Sequence, residues 1–363
     1  MNPHRSLLLS VSVFALVSCS VVDSIFTAPD RPVPTGAVID YSDPTPIDSN
    51  RFVLADGQDV VGEIQVIKAR YEDSFVDFAR EYGLGYDELV QANPGVDPWI
   101  PGEGTEVVLP TRFILPEAAR EGIVLNIAAK RLFYFPDSGE GEPQIVETYP
   151  IGIGRAGWST PTGDTTVISK ARDPVWFVPT SIRKEHEEAG DPLPKEVPPG
   201  PDNPLGSHVL GLGIPGYLIH GTNKPAGVGM RVSHGCVRLF PEDIESIYNR
   251  VDIGLRVRIV NQPYLLGWDN GDLVFEAHPP LQEDARDWSG AIVMRARSSL
   301  VNQKYQRSGI DEQRLGIISR DELGIPISVF KSGPDTSATL RRARRVNNTV
   351  TYDAVADAAT ASQ

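Results

Sequence analysis

The stretch YLIHGTNKPAGVGMRVSHGCVRL, residues 217–239, carries the reading of this chain. The apolar run Gly216-Tyr-Leu-Ile219 predicts a buried strand that delivers His220 at its end. Gly221, Gly227 and Gly229 then punctuate a loop. Val232 leads into Ser233-His-Gly-Cys236, followed by Val237-Arg-Leu239. Pro241-Glu-Asp243 suits a first helical turn, and Ile244, Ile247 and Tyr248 keep helical spacing after it.

The residue types point to acyl transfer. A thiolate is the nucleophile, yet a free thiol is little ionised near neutral pH. A histidine within hydrogen-bond reach takes the proton and returns it to a leaving amine. Gly235 permits a tight turn whose N–H groups converge on a developing oxyanion. Other readings compete. Cys236 alone reads as a small buried hydrophobe. His220, His234 and Cys236 read as three zinc ligands, although structural zinc sites usually show paired cysteines or close histidine pairs. His234 reads equally as a brace for the turn, and Arg238 as a surface cation or a carboxylate binder.

Two segments of the stretch, His220-Gly-Thr-Asn223 and Gly227 to Leu239, resemble the signature of the L,D-transpeptidases, the YkuD-domain cysteine enzymes of bacterial peptidoglycan. Gly122-Ile-Val-Leu-Asn-Ile127, Arg131-Leu-Phe-Tyr-Phe135, Tyr149-Pro-Ile-Gly-Ile-Gly154 and Pro201-Asp-Asn-Pro-Leu-Gly206 resemble periplasmic members with an N-terminal LysM-like module. The resemblance implies Cys236 as nucleophile and His220 as general base and acid, oriented by the Gly221 carbonyl. It implies amides of His234, Gly235 and Cys236 as the oxyanion hole, with Ser233 in the same turn. Arg238, Asn223 and Met230 are expected against the substrate. The expected donor is a peptidoglycan tetrapeptide stem. The acceptor is a second stem, giving a 3–3 cross-link, or a lysine of an outer-membrane lipoprotein. A carbapenem is the expected covalent inhibitor. No cofactor and no metal is expected.

The net charge of −14 argues against nucleic acid as a partner. The exception to the acidic character is Arg341-Arg-Ala-Arg-Arg345. Residues 1–18 read as a signal segment, with a short apolar run from Leu7 to Val17. Leu16-Val-Ser-Cys19 resembles a lipobox, which implies lipidation at Cys19 and a periplasmic, outer-membrane-anchored protein. The rival is an ordinary cleaved signal peptide. On the lipobox reading the two cysteines have separate jobs and no pair is left for a disulfide.

Residues 19–51 read as a flexible tether, rich in Pro, Asp, Ser and Thr. Over 52–111, Phe75, Phe78, Ala79 and Tyr82 keep helical spacing. Tyr86 to Val90 suggests a second helix, stopped by Asn93-Pro-Gly95, and Glu106 to Leu109 a strand. This βααβ order is similar to a LysM module, which implies glycan binding; a purely structural domain is the rival. Residues 112–262 form the expected catalytic domain, with strands at 123–127, 132–135, 145–149, 165–168 and 255–260. The predicted fold is mainly β, a β-sandwich-like domain with short helices. Residues 175–204 read as a lid or a proline-braced solvent loop. Residues 263–331 are expected to pack on the catalytic domain, and 332–363 to form a mobile tail. The rival function is a lipid-anchored peptidoglycan-binding protein acting through its LysM-like module without catalysis.

Overall fold

The computed structural model describes residues 45–46, 50–139, 141–301 and 309–352. The signal segment, the lipobox at Cys19 and most of the tether lie outside the described residues.

The chain enters along the large sheet. β1 (Arg51–Val53) is followed by β2 (Val60–Gly62), β3 (Gln65–Lys68), α1 (Phe75–Glu81), α2 (Tyr86–Ala92), β4 (Glu106–Leu109) and β5 (Arg112–Ile114). β3, α1, α2 and β4 give the strand–helix–helix–strand order, and β3 pairs antiparallel with β4. Asp77 accepts from the Ser74 N–H at 2.9 Å, so α1 starts where the spacing of Phe75 and Phe78 requires. β1 belongs elsewhere, as it pairs Arg51 with Glu147 at the edge of the sheet of the expected catalytic domain.

The strands of the expected catalytic domain follow as β6 (Gly122–Asn126), β7 (Arg131–Phe135), β8 (Ile145–Pro150), β9 (Ile153–Gly154) and β10 (Gly163–Arg172). β11 (Trp176–Phe177), α3 (Thr180–Glu188) and β12 (Glu196–Val197) form the proline-rich excursion. β13 (His208–Leu212), β14 (Leu218–His220), β15 (Arg231–Ser233), β16 (Val237–Arg238), α4 (Pro241–Tyr248) and β17 (Arg256–Val260) complete the domain. Nine strands run in the order β1-β8-β7-β6-β17-β10-β13-β14-β16. β10 changes partner midway: Gly163–Thr166 pair with β17, and Val167–Arg172 with β13. The register breaks between Val167 and Ser169. That break folds the sheet over one core, which joins Ile123, Leu125 and Leu132 to Leu210, Ile219 and Val237. The fold is mainly β, as the strand pattern requires.

All five residues of β6 and of β7 are buried. Alternation sends Ile123 and Leu125 into the core between the strands, and Val124 out the other side. A run buried on both faces needs a cover on each. The cover is the N-terminal unit: Val124, Phe133, Phe135 and Val146 share one cluster with Phe75, Phe78, Leu84 and Leu89. The N-terminal unit and the catalytic sheet therefore share a core.

The remainder comprises β18 (Tyr264–Asp269), β19 (Asp272–Ala277), α5 (Trp288–Val301), α6 (Glu312–Asp321) and β20 (Ile327–Ser328). The expected mobile tail from Ser332 is instead structured as far as Tyr352. α7 (Thr336–Arg342) leads into β21 (Arg344–Arg345), which pairs parallel with β3. Val346 and Val350 are buried in the cluster of the N-terminal unit. Asn348 and Tyr352 donate to Asp73 at 2.6 and 2.7 Å. The two-residue strand has no periodic signal of its own; its partner β3 lies far away in sequence. Val346→Asp should therefore destabilise the protein by at least ~2 kcal/mol, because it buries a charge with no partner. Thermal melting checks this, and an unchanged midpoint would return the segment to a mobile tail. Among the described residues no helix is long and apolar enough to cross a membrane.

Candidate active site

β14 and β16 lie parallel, with Ile219 opposite Val237 and His220 opposite Arg238. Cys236 immediately precedes β16. His220 and Arg238 are register partners and share a face, while Cys236 sits in the bend just before the strand, and the Arg238 charge acts on both Cys236 and His220. The turn between β15 and β16 is held by Ser233, whose Oγ donates to the Cys236 carbonyl at 2.6 Å. The same Oγ accepts from the Gly235 N–H at 3.1 Å. Gly235 has φ +105°, and a Cβ there would stand 2.9 Å from Tyr217 Cε1. Both the backbone angle and the space require glycine. Thr160 supports the turn from behind, donating to the Gly235 carbonyl at 2.8 Å and accepting from the Gly154 N–H at 3.1 Å.

His220 is buried. Its Nδ1 lies 2.6 Å from the Gly221 carbonyl, an acceptor only, so Nδ1 carries the hydrogen. Nε2 is then the basic nitrogen. Burial pushes the imidazole pKa down to about 4, and the Arg238 charge adds to the shift. Cys236 Sγ is partly exposed and lies 3.6 Å from the Gly216 carbonyl. Burial raises the thiol pKa; the Leu218 N–H beside the sulfur and the Arg238 charge pull it back. The resting pair at neutral pH is therefore a neutral thiol and a neutral imidazole, with no ion pair between them. Arg238 is half-buried, and its Nε has no hydrogen-bond partner among the described residues.

His234 has other partners. Its Nε2 lies 3.1 Å from Arg155 Nη2 and 3.3 Å from Glu185 Oε2. Burial, then the Arg155 charge, lowers its pKa, so the neutral ring accepts from Arg155. Arg155 also pairs with Glu185 on α3. The Trp158 ring meets the His234 ring edge to face at 4.9 Å between centroids. His234 thus ties the turn to the excursion. The base of that excursion is closed by the buried Asn203, which donates to the Pro174 carbonyl at 2.8 Å.

The expected site residues divide as follows. Cys236, His220, Gly221, Ser233, Gly235 and Arg238 come together. The Gly235 amide is spent on Ser233 Oγ, so it drops out of the expected oxyanion set. The amides of His234 and Cys236 have no intramolecular acceptor recorded among the described residues. Asn223 is exposed on the loop, and Met230 is half-buried, with its carbonyl accepting from Ile153 N–H at 3.0 Å. No three His, Cys, Asp or Glu residues among those described are grouped to hold a metal ion, so the zinc arrangement is not formed. Sequence reasoning missed Arg155, Thr160 and Glu185. Arg155 follows the quoted Gly152-Ile-Gly154 directly; Glu185 gave no local signal.

Asp243, in the first turn of α4, is buried with Oδ2 unpartnered. Burial pushes its pKa up to about 7, the Glu242 charge adding and Arg131 and Arg80 opposing. The folded state then holds this proton more tightly than the unfolded chain, and its contribution to stability is lost as pH rises through about 7. Asp243→Asn should raise the melting temperature more at pH 8 than at pH 5, and leave it unchanged only below about pH 4, where the unfolded carboxylate is protonated too. Equal effects at both pH values would refute the assignment.

Residues 120–259 match the family model described as the YkuD L,D-transpeptidase catalytic domain. A relative from Escherichia coli K12 named "Probable L,D-transpeptidase YcfS" is 39% identical over 256 residues, 69% of this chain and 78% of its own. "Probable L,D-transpeptidase ErfK/SrfK" of Salmonella typhimurium is 36% identical, over 71% of this chain and 82% of its own. "Probable L,D-transpeptidase YbiS" of Escherichia coli K12 is 37% identical, over 75% of this chain and 89% of its own.

Proposed function

The chain belongs to the L,D-transpeptidase family, and we propose from that premise that it acts on peptidoglycan through a Cys236 acyl-enzyme. The observation that carries the reading is the register pairing of His220 with Arg238, two residues after Cys236, with His220 Nδ1 anchored on Gly221. The donor is a tetrapeptide stem. Cys236 Sγ attacks the carbonyl carbon of the third residue as His220 Nε2 takes the thiol proton. The S–C bond forms, the C–N bond to D-alanine breaks, and the proton passes from His220 to the departing amine. The amides of Cys236 and His234 face the developing oxyanion. The unpartnered Arg238 Nε offers its guanidinium to a stem carboxylate. An amine, from another stem or from a lipoprotein lysine, then attacks the thioester: the N–C bond forms, the S–C bond breaks, and His220 passes the amine's proton to the departing Cys236 sulfur.

The strand–helix–helix–strand unit is read as LysM-like and glycan-facing. Cys19 is read as a lipid anchor that keeps the enzyme in the periplasm at the outer membrane. Purified peptidoglycan incubated with the enzyme, then digested and weighed by mass spectrometry, tests the reaction. Tetrapeptide stems should lose D-alanine and gain the mass of an added amine acceptor. Stems unchanged by enzyme and acceptor would sink the proposal.

A further inference from the structure

We propose that the first turn of α2 is a positioning element of the active site: Gly85 and Tyr86 set the height of the loop 222–230 and, through it, the Arg238 guanidinium. The inference rests on the reading of Cys236 and Arg238 given above.

This loop links the two halves of the site, running from His220 towards the Ser233–Cys236 turn. Its Val228 is fully buried in the cluster that contains Phe78, Leu84 and Leu89 of the N-terminal unit. Its Gly229 touches α2 backbone to backbone. Gly229 has φ +82°, and a Cβ there would stand 2.3 Å from Gly85 Cα and 2.5 Å from Tyr86 N. A Cβ on Gly85 would stand 2.9 Å from Gly229 Cα. No side chain fits in that contact. Tyr86 is the first residue of α2, where the helix leaves the N–H unused. Here that N–H donates to the Val228 carbonyl at 3.4 Å.

The far side of the loop meets Arg238. A Cβ on Gly227 would stand 3.3 Å from Arg238 Nη1, and one on Gly152 would stand 3.1 Å from the Gly227 carbonyl. The loop is therefore a thin layer between α2 and the guanidinium.

α2 itself is fixed. Glu88 takes both Arg131 Nε and Nη2, at 2.8 and 2.7 Å, in a buried two-point pair. Arg131 Nη1 also donates to Thr148 on β8 at 2.9 Å. Glu88 accepts from the Gly85 N–H as well, and Asp87 pairs with Lys130 at 3.2 Å. The helix turn is thereby referenced to β7 and β8, the strands of the catalytic sheet. A rigid support behind a loop holds a binding group to within a fraction of an ångström, and small misplacements cost rate steeply.

The test compares Tyr86→Pro with Tyr86→Ala in the full chain. Both remove the ring. Proline also removes the N–H and sets a ring carbon towards the Val228 carbonyl, while suiting the first position of a helix. The KM for the tetrapeptide stem should be about tenfold higher in the proline variant than in the alanine variant. Alkylation of Cys236 by iodoacetamide, which needs no carboxylate, should agree within about twofold between them. Gly85→Ala should raise KM in the same direction, and it decides the matter if the proline variant fails to fold. KM values equal within about twofold, or lower melting temperatures with KM unchanged, would leave α2 a structural helix only and overturn the proposal. Failure of the underlying reading shows separately: the Cys236→Ala protein would still turn over stems.

Discussion

Cys236→Ser should abolish turnover while the protein keeps its melting temperature. Serine is nearly isosteric, and the turn that holds it depends on Ser233, Gly235 and Thr160 rather than on sulfur. The chemistry is another matter. The thiol is already held above its ordinary pKa by burial, and it is rescued only in part by the Leu218 N–H and Arg238. A hydroxyl is a far weaker acid, and an imidazole with a pKa of about 4 is too weak a base to activate it. The expected loss is about 10⁴-fold or more, in line with removal of other nucleophiles. Intact-mass measurement with a carbapenem should show a single acyl adduct on the wild type and none on the variant. An adduct on Cys236→Ser at a tenth of the wild-type rate would defeat the mechanism.

The second large effect concerns His220. His220→Ala should slow acylation by about 10²–10⁴-fold near neutral pH. The pH dependence separates a base from a brace. In the wild type the base is lost only when His220 is protonated, so the acid limb should fall near pH 4 rather than near 6.5. From there to the thiol's own raised pKa the rate should be nearly flat. In His220→Ala only free thiolate reacts, so the rate should climb about tenfold per pH unit and approach the wild type at high pH. His234→Ala should keep the flat profile, because that ring is committed to Arg155 and the α3 carboxylate. Rescue by high pH in His234→Ala, with none in His220→Ala, would exchange the two roles.

Much of this site is legible in one stretch because its parts are local. A strand ending in histidine, a glycine-rich loop and a Ser-His-Gly-Cys turn follow one another within residues 217–239, and the side chain that closes the turn is inside it. The apolar runs at 122–127 and 131–135 likewise announce strands, since burial on both faces leaves a continuous signature. The helices at Phe75 and Tyr86 follow from spacing and turn residues alone.

The rest depended on contacts between distant segments. Nothing near His234 reveals that Glu185 on α3 will pair with Arg155 beside it. Ser233 and Gly235 are adjacent in the motif, yet only the folded turn shows that their mutual hydrogen bond removes one amide from the oxyanion set. The segment after Ser332 is polar on average, and its two-residue strand is ordered only by β3 and by the pockets that take Val346 and Val350. By itself, then, the sequence determined the β-rich class, the Ser-His-Gly-Cys motif and the histidine that precedes it, because local geometry and hydrophobic period carry them. Only the tertiary structure decided that the N-terminal unit shares a core with the catalytic sheet, that α2 lies against the active-site loop, and that the C-terminal strand closes the N-terminal sheet. Those choices rest on shape and on non-local pairing, which no window of residues contains.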